Sequence, residues 1–387
     1  FASAQHINRD SYYGGGQDPN AYGNTTDLNW MAGSQYVYSF GKCIFMPSDL
    51  TAGIEFNQDK LEDNMWGYHR TVDQKVNIGS AFLQNEWKNE HWGFLIGGRL
   101  DKHNLIDHVI FSPRANLRYN PTENINLRFS YSSGFRAPQA FDEDLHVENV
   151  GGNVAMVELA DNLKEERSQS LSASADIYHR FGAFQVNFLI EGFYTKLSDV
   201  FALTDGEVVD GILTRTRHNA SGAQVMGLTL EGKMAYLNKI QVQAGVTLQQ
   251  SHYSKPHIWN KEAPAVKKMM RTPNTYGYFT ATYTPIKPLS IALSGTYTGS
   301  MLVPHEPVPG FLENPITVNT KDFFDIGLKA AYDFKLYKSM NLQVNAGIQN
   351  IFNAYQNDFD KGADRDSGYI YGPSLPRSFF AGVKISY

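Results

Sequence analysis

Hydrophobic and polar residues alternate along this chain with a period of two. Ile125, Leu127, Phe129 and Tyr131 interleave with Asn126, Arg128, Ser130 and Ser132. Ile240, Val242, Ala244, Val246 and Leu248 interleave with Gln241, Gln243, Gly245, Thr247 and Gln249, and Leu342, Val344, Ala346 and Ile348 with Gln343, Asn345, Gly347 and Gln349. On a β-strand, residues two apart share a face, so each segment is apolar on one side and polar on the other. The tail repeats the pattern: Phe379, Ala381, Val383, Ile385 and Tyr387 oppose Ser378, Gly382, Lys384 and Ser386, with Phe380 as the exception.

The pattern predicts about sixteen strands, near 1–10, 25–40, 50–60, 74–88, 91–102, 109–120, 125–133, 167–180, 184–198, 219–236, 240–251, 274–284, 289–299, 322–335, 341–351 and 377–387. The connections alternate in length. Short ones rich in turn formers fall near 41–49, 89–90, 121–124, 181–183, 237–239, 285–288 and 336–340. Long ones fall near 11–24, 61–73, 103–108, 134–166, 199–218, 252–273, 300–321 and 352–376. Outer-membrane barrels are built this way, with short periplasmic turns and long outer loops. The expected fold is all-β, a transmembrane antiparallel β-barrel. Ile125, Phe129, Val242, Val246, Val344 and Val383 should face lipid, and Arg128, Gln243, Gln343 and Lys384 the lumen.

Composition agrees. No apolar run approaches the roughly 18 residues of a membrane helix, and mean hydropathy is -0.38, as expected where only alternate residues meet lipid. Aromatics reach 13%, enough for interfacial girdles. A net charge of -5 gives no basic excess for nucleic acid. The single Cys43 excludes an intrachain disulfide and any cysteine-rich metal site. The chain carries no Gly-x-Ser-x-Gly, no His-Glu-x-x-His and no phosphate loop, so we expect neither an enzyme nor a nucleotide site.

Four segments carry a family resemblance. Tyr131-Ser132-Ser133-Gly134-Phe135-Arg136-Ala137-Pro138 resembles the mid-barrel signature of TonB-dependent outer-membrane transporters. Asn162-Leu163-Lys164-Glu165-Glu166-Arg167-Ser168 resembles a second family segment, with Glu165 where proline is usual. The stretch from Asn219 to Gly227 with Glu231 resembles the strand carrying Gly-x-Glu, with Thr229 in the usual Glu position, and Asn350-Ile351-Phe352-Asn353 resembles the end of the penultimate strand. With the aromatic terminus these matches run in family order over 112–387, and residues 1–111 match in texture only.

The resemblance implies a 22-stranded barrel with a plugged lumen. Counting nine strands after Gly-Phe-Arg-Ala-Pro makes this chain strands seven to twenty-two. Residues 1–387 would then be a partial barrel domain, with the plug and first six strands lying outside it. It further implies active uptake of a scarce nutrient of the ferric siderophore, haem or cobalamin class, and no cofactor. The implied partners are the TonB complex acting through the plug, a small-molecule ligand, the outer-membrane insertion machinery, and the bilayer with its lipopolysaccharide. The alternative is a passive sixteen-stranded porin, which the strand count permits.

Candidate ligand contacts lie in the long connections: Arg136 with Asp142 and His146 behind it, His257 and Trp259 in a basic aromatic stretch suited to an anionic ring-bearing ligand, His305, and Tyr369 with Tyr371. Arg136 has an architectural reading too, pairing with a carboxylate of a loop or plug. Asp358, Asp360, Asp364 and Asp366 offer hard oxygens for calcium, although their spacing is not that of an EF-hand and Lys361 and Arg365 supply local ion pairs. Phe379, Val383, Ile385 and Tyr387 are the expected assembly signal.

Overall fold

The computed structural model describes residues 1–12, 22–138, 148–150, 153–209, 212–336, 339–362, 365–366, 368–373 and 375–387. Sixteen long strands form the wall: β1 Ala2–Tyr12, β2 Tyr22–Cys43, β3 Met46–Met65, β4 Arg70–Lys88, β5 Trp92–His103, β6 Ile110–Thr122, β7 Ile125–Arg136, β8 Glu166–Phe181, β9 Phe184–Ser198, β10 Ala223–Tyr236, β11 Ile240–His257, β12 Thr275–Ile286, β13 Leu289–Thr298, β14 Phe323–Lys335, β15 Asn341–Gln349 and β16 Ser378–Ser386. Each wall strand pairs antiparallel with its sequence neighbour, and short Val266–Lys268 pairs with β11. Among the described residues β1 and β16 do not pair with each other, so the sheet keeps two open edges. No described helix is long and apolar enough to cross a membrane, which says nothing of strands.

The register carries one face around the whole wall. Phe129 stands opposite Ala173, then Gly192, Leu228 and Leu248 in turn. Followed through every pair, Ile125, Phe129, Val242, Val246, Val344 and Val383 share one side, and Arg128, Gln243, Gln343 and Lys384 share the other. The first side exposes large apolar groups over its whole extent, among them Ile54, Leu83, Ile96, Phe188, Val246, Leu328 and Val383. An apolar surface this continuous is not stable against water and marks a lipid contact. Paired aromatic rings line its short-turn end: Phe45 with Trp87 (centroids 5.6 Å), Trp92 with Tyr119 (4.2 Å), Phe184 with Tyr236 (4.5 Å) and Tyr332 with Phe334 (4.6 Å). That is the position of an interfacial girdle.

The opposite side is hydrogen-bonded. Arg99 reaches Glu55 (2.9 Å) and Asp101 (2.8 Å). Gln243 donates to the Tyr278 hydroxyl (2.7 Å), which donates to Glu231, itself paired with Lys233 at 2.7 Å. Phe380, which breaks the alternation of the tail, points to this side because its register partner is Gly347. A Cβ at Gly347 would lie 2.5 Å from the Phe380 ring, so the ring lies over the glycine backbone.

The structure corrects several expected boundaries. Residues 61–73 are not a loop: β3 runs to Met65, β4 starts at Arg70, and a 3-10 turn at Trp66–Tyr68 joins them. Above a bilayer the outward face meets water instead of lipid, so the apolar-out alternation that marks a lipid-crossing strand fades there. The turn expected at 41–49 shrinks to Ile44 and Phe45, with Ile44 left-handed at φ 64. β11 continues to His257. The expected loops 134–166 and 199–218 contain strands of their own.

Candidate functional site

Those additional strands build the mouth of the barrel. Phe201–Val209 and Ile212–Asn219 form a hairpin, and Ile212–Arg217 pairs in parallel with Val154–Leu159, which pairs with Glu148–Val150. The four-stranded sheet is moored at both ends. On the β8 side Phe201 N–H donates to Glu166, and the Asn219 amide donates to Lys164 O (3.0 Å) and Asp199 O (2.8 Å) while accepting from Lys164 N–H (2.8 Å). On the far side Arg70, on the inward face of β4, donates to Val157 O at 2.6 Å. The sheet therefore leans over the polar side of the wall.

Cations and rings meet under this sheet. The Arg136 and Arg217 guanidinium carbons lie 5.6 and 5.7 Å from the Phe201 ring centroid. Arg217 is 1% exposed. Arg136 stands 3.7 Å from Glu166, and Arg215 stands 3.7 Å from Glu306, which also accepts from the Asn260 amide at 2.9 Å. A cavity of about 290 Å³ is lined by Phe201, Arg215, Arg217, His257, Trp259 and Glu306. A neighbouring one of about 480 Å³ is lined by Leu203, His218, Tyr253, Lys255, His257 and Trp259. His257 and Trp259 thus border both. The Trp259 Nε1 donor is buried without a hydrogen-bond partner, and a buried donor left unpaired costs about 1–3 kcal/mol until something accepts from it. Arginines, a stacked ring and an unspent N–H suit an anionic ligand with aromatic and oxygen surfaces.

The sequence candidates separate into two groups. Arg136, His257 and Trp259 come together here. His305, Tyr369 and Tyr371 lie in an adjoining loop core, where Met301, Val303 and Tyr369 bury one another against Val318 and Tyr371. The His305 ring stacks on Tyr369 with centroids 3.8 Å apart and planes 6° apart, and Nε2 meets Asp360 Oδ2 at 2.9 Å. Tyr371 donates to Asp358 at 2.6 Å; burial and that carboxylate push its pKa far up. Asp142, His146 and Asp364 lie outside the described residues. The calcium reading finds no support among the described residues, where no three His, Cys, Asp or Glu side chains converge. Asp358 is taken by tyrosines, Asp360 by His305 and the Asp366 N–H, and Asp366 by the N–H groups of Glu306 and Gly368.

Phe201, Arg215, Arg217 and Glu306 were not among the sequence candidates. The alternation Leu213-Thr214-Arg215-Thr216-Arg217 places both arginines on one strand face, and that signal could have found them.

The sequence matches the family described as "TonB dependent receptor-like, beta-barrel" over residues 2–351. The chain belongs to this family. Barrels of TonB-dependent receptors are outer-membrane proteins. Three solved receptors have a similar fold. A variant of the ferric enterobactin receptor PfeA from Pseudomonas aeruginosa, in complex with enterobactin, has a TM-score of 0.69 at 18% identity, over 99% of this chain and 59% of that one. The ferric-catecholate import receptor Fiu from E. coli has a TM-score of 0.68 at 15% identity, over 94% and 55%. The siderophore receptor PirA from Acinetobacter baumannii has a TM-score of 0.65 at 15% identity, over 95% and 55%. The chain thus spans 55–59% of the length of these receptors. No curated protein matches it.

Proposed function

We propose that this barrel segment belongs to an outer-membrane receptor that takes up a ferric siderophore of the anionic, aromatic class, with TonB pulling on a plug and the inner-membrane proton gradient supplying the energy. The observation that carries the reading is the pair of cavities joined by His257 and Trp259, with Arg217 and Arg136 on the Phe201 ring. Siderophores of this class present carboxylate or phenolate oxygens on flat rings, which the arginines and Trp259 Nε1 can hold. The fold likeness to ferric enterobactin and ferric-catecholate receptors supports the same class.

The wall in this reading corresponds to strands seven to twenty-two of a 22-stranded barrel, with the plug and six more strands supplied by further chain. The open edges of β1 and β16 support it, because unpaired backbone groups in lipid cost several kcal/mol each. The same edges and the family match weigh against a closed sixteen-stranded porin.

Ligand binding to the purified receptor tests this. Ferric enterobactin should quench tryptophan fluorescence, and Arg217→Ala with Trp259→Phe should weaken binding by about a hundredfold, with roughly 1–2 kcal/mol lost at each site. Equal binding of haem, cobalamin and ferric enterobactin, or no effect of either substitution, would refute the assignment.

A further inference from the structure

A carboxylate borders the cavity that the arginines make attractive to anions. Among the described residues around the space of about 290 Å³, Glu306 is the one acid, set beside Arg215, Arg217, His257 and Trp259. Arg215 and Arg217 are two apart on one strand, so both point to the same side. Where water is scarce, two guanidinium charges side by side repel each other strongly, and a carboxylate close by offsets that repulsion.

The backbone of Glu306 is held firmly. Its N–H donates to Asp366 Oδ2 at 2.9 Å. The residue before it, His305, is stacked on Tyr369 and paired with Asp360 at 2.9 Å. The two carboxylate oxygens have contacts of different quality. Oε2 accepts from the Asn260 amide at 2.9 Å, and Asn260 is itself oriented by accepting the Glu262 N–H at 2.9 Å. Oε1 stands 3.7 Å from Arg215 Nη2, beyond the roughly 2.7–2.9 Å of a closed charged hydrogen bond. A ligand oxygen that reaches Arg215 at hydrogen-bond distance therefore takes over a contact that Glu306 makes only loosely, while Asn260 keeps its hold on the carboxylate.

We infer that Glu306 is a specificity-determining residue: it stands in for the ligand's acidic oxygen at Arg215 in the empty receptor, and an anion enters only by taking its place. A small inorganic anion gains the arginines alone and stays next to a displaced carboxylate that repels it. An aromatic acid also gains the Phe201 ring and the Trp259 Nε1 donor, which offset that repulsion. The cavity thus rejects phosphate and admits ring-bearing acids. The inference rests on the siderophore reading of this site and adds what the site turns away.

The test uses the receptor expressed from its complete gene and purified in detergent. Two iron-free probes share a ring and differ in charge, salicylate and uncharged salicylamide, and are titrated by ligand-observed NMR beside inorganic phosphate. Glu306→Gln should tighten salicylate and ferric enterobactin about tenfold each, raise phosphate binding to a measurable level, and change salicylamide by less than about twofold. With Arg215→Gln already in place, the same substitution should have no effect. Asn260→Ala, which lets the carboxylate close on Arg215, should act in the opposite direction and weaken salicylate about threefold. Heat-modifiable migration checks that each variant is folded. A glutamate with a purely structural role would shift salicylate and salicylamide alike, and that result would overturn the inference. Salicylate binding that Glu306→Gln leaves unchanged or undetectable would overturn it too. Failure of ferric enterobactin to bind, with the salicylate difference intact, would instead count against the uptake reading and leave the role of Glu306 standing.

Discussion

The wall is tall on one side and short on the other. β2, β3 and β4 have 22, 20 and 19 residues, whereas β13, β15 and β16 have 10, 9 and 9. Crossing the bilayer takes about 9–11 residues, so the tall strands project about ten residues beyond it. Their projecting ends are buried on the inward side: Thr25, Leu61, Asp63, Met65, Gln74 and Val76 all have little exposure. A free strand end could not bury them. The Arg70 tie to Val157 shows the mouth sheet reaching this side, where Met156 and Val157 are also buried. On the short side the strands stop early and the loops build their own core, Met301, Val303 and Tyr369, closed by the His305–Asp360 pair. Both sides cover the same opening. The tall side does it with strand height and apolar packing, the short side with a loop hairpin and a buried polar pair.

If that contrast is right, apolar truncation should hurt the tall side most. Met65→Ala removes a side chain 2% exposed and should cost about 3–4 kcal/mol through lost burial and a residual cavity. Hydrogen exchange should rise at the ends of β3 and β4 and stay unchanged in the 301–319 loop. Equal change on both sides would erase the distinction. His305→Ala probes the short side. It leaves Asp360 buried with only the Asp366 N–H, which should cost about 3 kcal/mol, the low end for breaking a buried pair. Exchange at 302–305 and 369–371 should accelerate on the order of a hundredfold, with β2–β4 unaffected.

The two sides also differed in how well the sequence announced them. Where strands cross lipid, one face must be apolar and the other must suit a polar lumen, so Ile240 to Gln249 could be assigned residue by residue. The tall ends escaped because Glu62-Asp63-Asn64 resembles a turn, and nothing in the local pattern says that Asp63 is buried and accepts from Thr25 at 2.5 Å. Of the site, Arg136, His257 and Trp259 were visible as charge and ring chemistry beside family motifs. Glu306 was not, because its meeting with Arg215 joins two loops about ninety residues apart along the chain. Period and composition carry no information on such pairings.

A charge on the lipid face should act on both sides alike, and weakly where it lies shallow. Phe129 shares its row with Gly192, eight residues above Phe184, or roughly 21 Å up a band about 25 Å tall. Phe129→Arg should therefore cost about 1 kcal/mol, well short of the midplane penalty. A urea titration of the refolded barrel in vesicles measures it. A loss of 3 kcal/mol or more would place this row at the bilayer centre.

The smallest effect belongs to the junction where the mouth sheet rejoins the wall. Glu165, in the position where relatives of this family usually have proline, is 4% exposed. It accepts from Arg167 Nε at 2.8 Å and meets His108 Nε2 at 3.0 Å, linking the connection after β5 to the start of β8. Burial alone would raise its pKa, but the hydrogen bonds from Arg167 and His108 outweigh it and hold the carboxyl below its ordinary value of 4.5. A carboxyl whose folded pKa is depressed binds its proton more readily when unfolded. Its stabilisation is therefore fully present above about pH 4.5 and is lost as pH falls through the lower folded value. The thermal midpoint of the wild type should hold between pH 7 and 5 relative to Glu165→Gln, and the gap should close below pH 4.5. A gap that stayed constant down to pH 3 would mean that Glu165 acts by packing alone. The strand junction would then resemble the apolar tall side rather than the polar short side.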